Sequence, residues 1–366
     1  MSRDTMLAVV WRGPDRLAAE RVPLPRLEPG DLLLRVRAAS VCSTDLKILA
    51  HGHFKIPAGT SRVLGHELAG QVEQFAPDGR PAAPLAPGVR VGVAPNLGCG
   101  RCDACADGLD HLCPDYEALG ITLDGGLAEF VRIPARAVAR GHVIPLPDGV
   151  ADDQAALVEP AACVLNAHEA AGTGPGDRVL ILGAGPMGLL HVLIARLAGA
   201  AAVVVADPWP ERRGRAADLG ADLAVAPAEL EAAARRVTGG RGFDVVMVTA
   251  PRPEAQAQAV GLAAVRGRVQ FFAGLPRHSP PPALDTNAIH YRQLVVSGTT
   301  GASVRQYRRT LELVAAGRLR LDGLISRRAP LTDAAAVFEE LKARKLVKAV
   351  FQPDSTEEAE ERCTRR

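Results

Sequence analysis

Four of the seven cysteines lie within one stretch of fifteen residues, in the segment GCGRCDACADGLDHLC. They follow the pattern C-x2-C-x2-C-x7-C and are Cys99, Cys102, Cys105 and Cys113. Four thiolates complete the tetrahedral sphere that Zn²⁺ prefers and leave no position for a substrate, so the spacing predicts a structural zinc site. An iron–sulfur or redox use of these thiols is the alternative, and His111 is a spare candidate ligand.

A second pattern, G-x-G-x-x-G, lies in RVLILGAGPMGLL, directly after an apolar run and before a stretch with helical spacing. Its glycines permit a tight turn, a close approach of a pyrophosphate to the backbone, and close packing of helix on strand. The phosphates would lie at the helix N-terminus, where free N–H groups favour negative charge. The residues of this predicted dinucleotide site are Gly183, Gly185, Pro186, Met187 and Gly188. The alternative is a glycine turn that binds no ligand.

The next apolar run ends in Asp207, nineteen residues after Gly188. A carboxylate at this point accepts hydrogen bonds from both ribose hydroxyls and repels a 2′-phosphate, so we expect NAD rather than NADP. Arg212 and Arg213 lie nearby and keep NADP open as the less favoured cofactor. We include Arg212 among the predicted cofactor-binding residues.

Residues of the types that bind zinc also occur singly, as Cys42 in VCSTDLK, His66 and Glu67 in LGHELAG, and Glu159 in LVEPAA. Each has a plain structural explanation: a small buried cysteine, a core histidine with its hydrogen bonds satisfied, a charge at a helix entry. Their joint occurrence with the cysteine loop and the glycine turn, in this order, favours a second metal site. One thiolate, one imidazole and one or two carboxylates would hold zinc and leave a position for a substrate oxygen or water.

The apolar runs predict the elements that position these residues. Residues 1–158 hold short Val, Leu and Ile runs separated by Pro and Gly, which is typical of a β-rich domain, with a loop at 76–88. Residues 159–299 alternate buried runs with helical stretches, which implies a parallel sheet covered on both faces. Residues 300–352 predict one or two helices and a closing strand, and residues 353–366 a disordered, charged tail.

The individual runs predict strands at the following positions: 6–11, 31–38, 68–73, 89–93, 178–182, 202–206, 244–248, 268–272, 294–296 and 348–351. A helix is predicted over 189–197.

Composition excludes several other classes of protein. The chain has 366 residues, 48% of them hydrophobic, so it can bury a core and is not disordered throughout. The 43 Lys and Arg residues nearly balance the 41 Asp and Glu residues, which argues against a nucleic-acid binder. We find neither a signal peptide nor a bilayer-spanning run and expect a cytoplasmic protein, in which clustered cysteines bind metal rather than form disulfides.

Together these motifs resemble those of the zinc-dependent medium-chain alcohol dehydrogenases, most closely the sorbitol (polyol) dehydrogenase-like branch, over about residues 5–352. The resemblance implies an α/β fold class, with a Rossmann doubly wound parallel sheet plus a β-rich GroES-like catalytic domain to which the C-terminal segment returns. It also implies one catalytic zinc, one structural zinc and NAD, with the substrate bound between the two domains.

The resemblance assigns the catalytic zinc to the dispersed residues. Cys42 and His66 match ligands of the whole family, and Glu67 matches a ligand of the polyol branch. Glu159 matches the Glu-Pro of the polyol and threonine branches at the third-ligand position, where it would bind zinc directly or through water. Cys163 is a competing ligand.

The proton path is where the chain departs from the family pattern. Asp45 matches the residue that orients the zinc-bound histidine, and Thr44 matches the hydroxyl that passes the alcohol proton outward. Ser43 stands where glycine is usual, and Lys47 stands where many members have a relay histidine. His51 or His53 could replace that histidine, or the proton could leave through the ribose hydroxyls and water.

The expected reaction is oxidation of a secondary hydroxyl of a polyol, cyclitol or related sugar alcohol to a ketone, with hydride transfer to NAD. The alternatives are a threonine- or aminocyclitol-type dehydrogenase, a reductase that runs in the opposite direction, and a non-catalytic nucleotide-binding relative. The resemblance further implies a homodimer or homotetramer, with no nucleic-acid or membrane partner.

Overall fold

A computed structural model describes residues 4–77, 85–276 and 278–353 of the chain. The chain divides into two compact units, one formed by residues up to 160 together with those from 302 onward, the other by residues 161–301. The sequence predicts these divisions after residues 158 and 299. The tail predicted to be disordered lies outside the described residues except for Pro353, as do residues 78–84 of the predicted loop.

The strands, in chain order, are β1 Thr5–Trp11, β2 Leu17–Pro23, β3 Leu32–Ser40, β4 Arg62–Val63, β5 Glu67–Phe75, β6 Arg90–Val93, β7 Asn96–Leu97, β8 Glu117–Ala118, β9 Phe130–Ile133, β10 Val143–Pro145, β11 Arg178–Leu182, β12 Ala202–Ala206, β13 Leu223–Val225, β14 Phe243–Val248, β15 Ala263–Phe271, β16 Val295–Gly298, β17 Ile325–Ala329 and β18 Lys348–Phe351.

The α-helices are α1 Ser43–His51, α2 Asp103–Ala106, α3 Ala135–Ala139, α4 Asp152–Ala156, α5 Val158–Ala171, α6 Pro186–Leu197, α7 Pro210–Asp218, α8 Leu230–Thr238, α9 Pro253–Leu262, α10 Thr286–Tyr291, α11 Val304–Ala315 and α12 Ala334–Lys342. Single 3₁₀ turns occur at Asp110–Leu112, Pro227–Glu229, Asp322–Leu324 and Leu331–Asp333.

Strand β3 organises the first unit. It pairs antiparallel with β5, β9 and β18, in a sheet of order β10-β6-β5-β3-β18-β17. Its side chains Leu32, Leu34 and Val36 are fully buried in the core of this unit, which is why the run forms a central strand. Two further sheets, β2-β1-β4 and β7-β8, complete the strands of this unit. The predicted β-rich character of the N-terminal region is confirmed.

The C-terminal segment adds strands to the sheet of the first unit. Strand β18 pairs antiparallel with β3 and parallel with β17. The prediction of a closing strand at 348–351 is confirmed, but it omitted β17. The reason is that Arg327 and Arg328 interrupt the apolar pattern of β17, and both are neutralised by acidic partners, Arg327 by Glu340 and Asp333 and Arg328 by Asp153.

The second unit is a parallel sheet of order β13-β12-β11-β14-β15-β16. This is the strand order 3-2-1-4-5-6 of a Rossmann sheet, and it confirms the predicted parallel sheet. The runs at β11 and β12 are buried because both faces of such a sheet are covered. Two elements begin several residues before their predicted starts: β15 begins at Ala263, and α6 begins at Pro186, directly after its N-cap Gly185.

The most apolar stretch of the sequence, residues 179–195, is divided in the structure between β11 and α6. Within the part of the chain that the structure describes, no helix is both long enough and apolar enough to cross a membrane.

Candidate functional site

The four cysteines of the loop converge on one point of the first unit. Their sulfur atoms all lie within 4.8 Å of one another. A tetrahedral zinc site with Zn–S bonds of about 2.3 Å needs sulfurs about 3.8 Å apart, so the four residues fit the ion. Cys102 lies at the N-cap of α2, and Cys113 directly follows the 3₁₀ turn Asp110–Leu112. Helix α2 and this 3₁₀ turn therefore bring the fourth cysteine next to the first three.

The thiols of this cluster differ in their tendency to ionise. Hydrogen bonds from the backbone N–H groups of Arg101 and Cys102 lower the pKa of Cys99 to about 6. Burial raises the pKa of Cys105 to about 12. A zinc ion bound by the cluster would favour the thiolate form of both residues. The spare ligand His111 does not belong to the group of converging atoms among the described residues.

A second group of possible metal ligands consists of Cys42, His66 and Glu67, whose ligand atoms also lie within 4.8 Å of one another. Cys42 is the N-cap of α1, and Glu67 is the first residue of β5, next to His66. A thiolate, an imidazole and a carboxylate at this spacing suit a zinc ion with a free coordination position. Of the residues predicted for the second metal site, the structure therefore brings these three together.

Asp45 fixes the backbone around this second group. Its side chain is fully buried and accepts hydrogen bonds from the N–H of Cys42 at 2.8 Å and of Gly65 at 3.2 Å. Its distance to His66 Nδ1 is 3.8 Å, which is an ion-pair distance and not a hydrogen bond. Burial lowers the pKa of His66, but the negative charges of Cys42 and Asp45 outweigh burial and raise that pKa well above its usual value.

Glu67 has a second partner that the sequence analysis did not identify. The ammonium of Lys348 lies 2.6 Å from Glu67 Oε1 and 3.2 Å from the carbonyl oxygen of Val41. Lys348 also contacts Glu67 Oε2, and the hydroxyl of Ser40 donates to the same oxygen. Lys348 is 1% exposed and Glu67 0%, so this is a fully buried ion pair. A zinc ion at this site would compete with Lys348 for the carboxylate.

Glu159 lies near the second group without belonging to it. It is in the first turn of α5 and is 8% exposed, but its carboxylate is not among the three converging atoms. Its charge contributes to the raised pKa of His66, together with the larger contributions of Cys42 and Asp45. Tyr307 is also buried, and burial first, then the charge of Glu159, raises the pKa of its hydroxyl. Glu159 thus acts on the second group through its charge and not as one of the converging ligand atoms.

The residues predicted for proton transfer lie on or after α1. Thr44 is half-buried in the first turn of this helix, while Lys47 and His51 are exposed. His53 is half-buried, and its Nδ1 accepts a hydrogen bond of 3.2 Å from the N–H of Lys55. Burial and the charge of Lys55 lower the pKa of His53. Lys47 is therefore open to solvent, whereas His53 is partly shielded from it.

The glycine turn of the second unit has the geometry that its sequence predicts. Gly183 has φ +108°, and a side chain on Gly188 would collide with the carbonyl oxygen of Gly183. Thr249 closes the turn by donating to the carbonyl oxygens of Leu182 and Gly183, both at 2.9 Å. The glycines therefore keep side chains away from the backbone before the N-terminus of α6, where Pro186 and Met187 form the first turn.

Asp207 follows β12 at the edge of this turn and is 3% exposed. Its two carboxylate oxygens accept hydrogen bonds from the N–H of Ala184 at 2.7 Å and of Trp209 at 2.9 Å. A Cβ on Gly185 would lie 3.9 Å from Arg212 Nη1, so this guanidinium reaches toward the glycine turn. The structure thus brings the predicted ribose reader and the predicted arginine to the turn.

The chain matches two family models, described as "Alcohol dehydrogenase GroES-like domain" over residues 28–148 and "Zinc-binding dehydrogenase" over residues 186–316. It is also 32% identical to the L-threonine 3-dehydrogenase of Bacillus licheniformis, over 91% of this chain and 94% of that protein. The chain belongs to the medium-chain zinc alcohol dehydrogenase family.

Other proteins similar to this chain differ in the substrates and cofactors that their descriptions name. The L-galactonate-5-dehydrogenase of Escherichia coli K12 is 30% identical over 95% of this chain and 99% of that protein. A zinc-binding dehydrogenase from Sinorhizobium meliloti, solved with NADP, is 33% identical with a TM-score of 0.86, covering 96% of this chain and all of that one. A protein described as a short chain alcohol dehydrogenase from Escherichia coli CFT073, solved with NADH, is 25% identical with a TM-score of 0.85, over 96% and 100%.

Membership in this family confirms the predicted fold class, a Rossmann parallel sheet together with a GroES-like β domain. It also supports the expected cofactors, since the medium-chain zinc dehydrogenases bind zinc and NAD(P) and the cysteine cluster is present here. The sequence analysis missed two buried residues: Lys348, which contacts Glu67 of the second group, and Tyr307, whose pKa the charge of Glu159 raises. The available signal was Lys348 itself, a charged residue that begins the otherwise apolar run KAVF.

Proposed function

We propose that this dehydrogenase oxidises a secondary alcohol to a ketone with zinc at Cys42 and His66, transferring the hydride to NAD. The observation that carries the proposal is the convergence of Cys42, His66 and Glu67 within 4.8 Å in the GroES-like unit. Zinc bound there would act as a Lewis acid that lowers the pKa of an alcohol hydroxyl. The overall change is alcohol plus NAD⁺ to ketone plus NADH and one proton.

The residues of the chain would divide this work. Cys42 and His66 would hold the ion, and Asp45 fixes the backbone at Cys42 and at Gly65, the residue before His66, by accepting from their N–H groups. The Thr44 hydroxyl takes the alcohol proton outward, and Lys47, exposed on the same helix, passes it to water. Glu159 lies close enough for its charge to contribute to the raised pKa of His66, after Cys42 and Asp45, and would bind zinc directly or through one water.

NAD is the proposed cofactor because of Asp207. Its carboxylate is fixed by two backbone N–H groups and is therefore preorganised to accept hydrogen bonds from the ribose hydroxyls. A 2′-phosphate would meet this fixed negative charge. Arg212 and the relative solved with NADP support a residual NADP activity.

A polyol, a sugar acid or a cyclitol is the proposed substrate class, and L-threonine is the second candidate. Threonine carries a secondary hydroxyl on carbon 3 and L-galactonate one on carbon 5. In each molecule a neighbouring carbon carries a polar substituent. Relatives with these two names therefore share one type of reacting group. The similarity to threonine dehydrogenases is the specific observation that favours the second candidate.

The test is NADH formation by the zinc-loaded protein, followed by absorbance with NAD or NADP. The panel contains sorbitol, xylitol, inositols, aminocyclitols, L-galactonate, L-threonine and simple alcohols. A signal with a polyol, cyclitol or sugar acid supports the first candidate, and a signal with L-threonine alone supports the second. No turnover in protein that contains two zinc ions per chain would contradict this substrate class.

Two cysteine variants test the metal assignment. Cys42→Ala should lose one zinc ion per chain and turnover, while dinucleotide binding, measured by fluorescence of bound NADH, stays unchanged. Cys163→Ala is the matched control, because Cys163 is buried in α5 and belongs to the other unit. Loss of zinc in Cys163→Ala with retention in Cys42→Ala would overturn the assignment.

We also propose that the protein forms a homodimer or homotetramer. Strand β16 lies at one end of the parallel sheet, and Val295 in this strand is 56% exposed. An edge strand with exposed apolar side chains can pair with a second copy of itself. Light scattering coupled to gel filtration gives the mass, and a monomer at micromolar concentration would contradict the proposal.

A further inference from the structure

Arg140 lies against the cysteine loop although it is far from it in sequence. It directly follows α3, and its Nη2 donates to Asp110 Oδ1 at 2.5 Å. Asp110 begins the 3₁₀ turn that leads into Cys113. The Nη1 group of Arg140 lies 2.9 Å from the position that a Cβ would take on Gly100, which has φ +80°. One guanidinium therefore contacts both the first and the last part of the loop.

Asp110 is packed directly onto the cluster. It is 5% exposed, and a side chain on Gly98 would collide with both its Oδ1 and the sulfur of Cys105. His142, the next residue but one after Arg140, contacts the loop from the same side. Its Nδ1 lies 3.1 Å from the carbonyl oxygen of Ala94, and its Nε2 lies 3.9 Å from Asp110 Oδ2. Asp110 and Arg140 therefore place a carboxylate and a guanidinium beside the cysteine cluster, and His142 lies next to Asp110.

The negative charge of a zinc-bound cysteine cluster favours a cation beside it. Four thiolates with one Zn²⁺ carry two net negative charges, and the carboxylate of Asp110 adds a third. A permanently charged guanidinium answers this need better than histidine does, because it stays protonated at any physiological pH. The hydrogen bond to Asp110 raises the pKa of Arg140, burial opposes it, and the charges of Cys105 and Cys99 raise it further.

We propose that Arg140 is the positioning residue of the cysteine-loop site, where it holds the two ends of the loop together and offsets the negative charge of the metal–thiolate group. The proposal rests on the proposed zinc role of the four cysteines. It predicts that Arg140 slows the release of the loop zinc, whereas an ordinary surface ion pair would contribute almost nothing.

The test measures zinc release from the full-length protein to a chromogenic chelator, in a Cys42→Ala background that removes the other proposed site. Arg140→Met should release the loop zinc about 10- to 100-fold faster, the usual effect of losing a group that supports metal ligands. Arg140→Lys keeps the charge but not the forked geometry and should lie between the two. The matched control is Arg136→Met, four residues earlier within α3, which removes an ion pair with Glu117. It should leave the release rate unchanged.

A second pair of variants separates charge from loop anchoring. Asp110→Asn removes a negative charge beside Cys105 and keeps the guanidinium, so zinc release should stay the same or slow down. Adding Asp110→Asn to Arg140→Met should slow release relative to Arg140→Met alone. Faster release in either case would overturn the charge argument, and the single variant Asp110→Asn remains informative if Arg140→Met does not fold.

Zinc content and zinc release in the Cys42→Ala background distinguish the role of Arg140 from the metal role of the four cysteines. One zinc per chain in the Cys42→Ala background, with release unaffected by Arg140→Met, would overturn the role of Arg140 alone. No zinc in that background would instead overturn the metal role of the four cysteines, and with it this proposal.

Discussion

The buried pair of Lys348 and Glu67 permits a sharp test by Lys348→Met. Methionine keeps the length and apolar character of the side chain but leaves the Glu67 carboxylate in a fully buried position without its cation. Breaking a buried ion pair from one side costs about 3–5 kcal/mol, because the remaining charge is uncompensated. We therefore expect the free energy of unfolding of the zinc-free protein to fall by about this amount in urea.

Two comparisons make this result specific. Lys342→Met removes a lysine that is 33% exposed and pairs with Asp15 and Glu339, so it should cost about 0–1 kcal/mol. Adding Glu67→Gln to Lys348→Met removes the orphaned charge, and the amide oxygen can still accept from Ser40. This double variant should recover most of the lost stability. A Lys348→Met variant as stable as Lys342→Met, or a double variant no better than Lys348→Met, would refute the reasoning.

Three further predictions concern the second unit. Asp207→Ser should shift the preference toward NADP by about tenfold or more in kcat/KM, and adding Arg212→Gln should reverse most of the gain; an unchanged preference would show that Asp207 does not read the ribose. Gly188→Ala should abolish dinucleotide binding, because its Cβ collides with the carbonyl oxygen of Gly183. Gly214 is exposed in a helix and has nothing near its Cβ, so Gly214→Ala should be tolerated and should raise the free energy of unfolding by about 0.5–1 kcal/mol. Burial lowers the pKa of His168 to about 3. The contribution of the neutral imidazole to the free energy of unfolding is therefore complete above the unfolded-state pKa near 6.5 and is lost as the pH falls toward 3. Between pH 6.5 and pH 5 the free energy of unfolding should change by about 2 kcal/mol more in the parent than in His168→Gln, and an equal change in both would contradict this.

The local motifs were predictable because each uses residues close in sequence. The cysteine spacing fixes four sulfurs within two short turns, and the glycine turn is determined by the absence of side chains at Gly183 and Gly188. Strands β11 and β12 were predicted with their observed bounds, because a fully buried parallel strand is a continuous apolar run flanked by turn residues. In these cases local chemistry and fold require the same residues.

Features that depend on pairing distant segments were not predictable. Strand β17 has no apolar pattern, because its arginines are neutralised by residues of other elements. Arg140 and Asp110 are thirty residues apart, and Lys348 and Glu67 are 281 apart. No periodicity connects such residues. Lys348, for example, reaches Glu67 only in the completed sheet, where β18 and β5 both pair with β3.

The position of Lys348 has a consequence for the chemistry proposed for Cys42 and His66. With a divalent ion bound, the ion and Lys348 would carry three positive charges, and Cys42, Glu67 and the nearby Asp45 three negative ones. Without Lys348 the site would carry one net negative charge, and it would then attract an anionic substrate oxygen less strongly. Glu159, close but outside the converging group, would add a further negative charge if it came closer. The closing strand thus sets the electrostatics of the proposed zinc site by delivering one buried lysine.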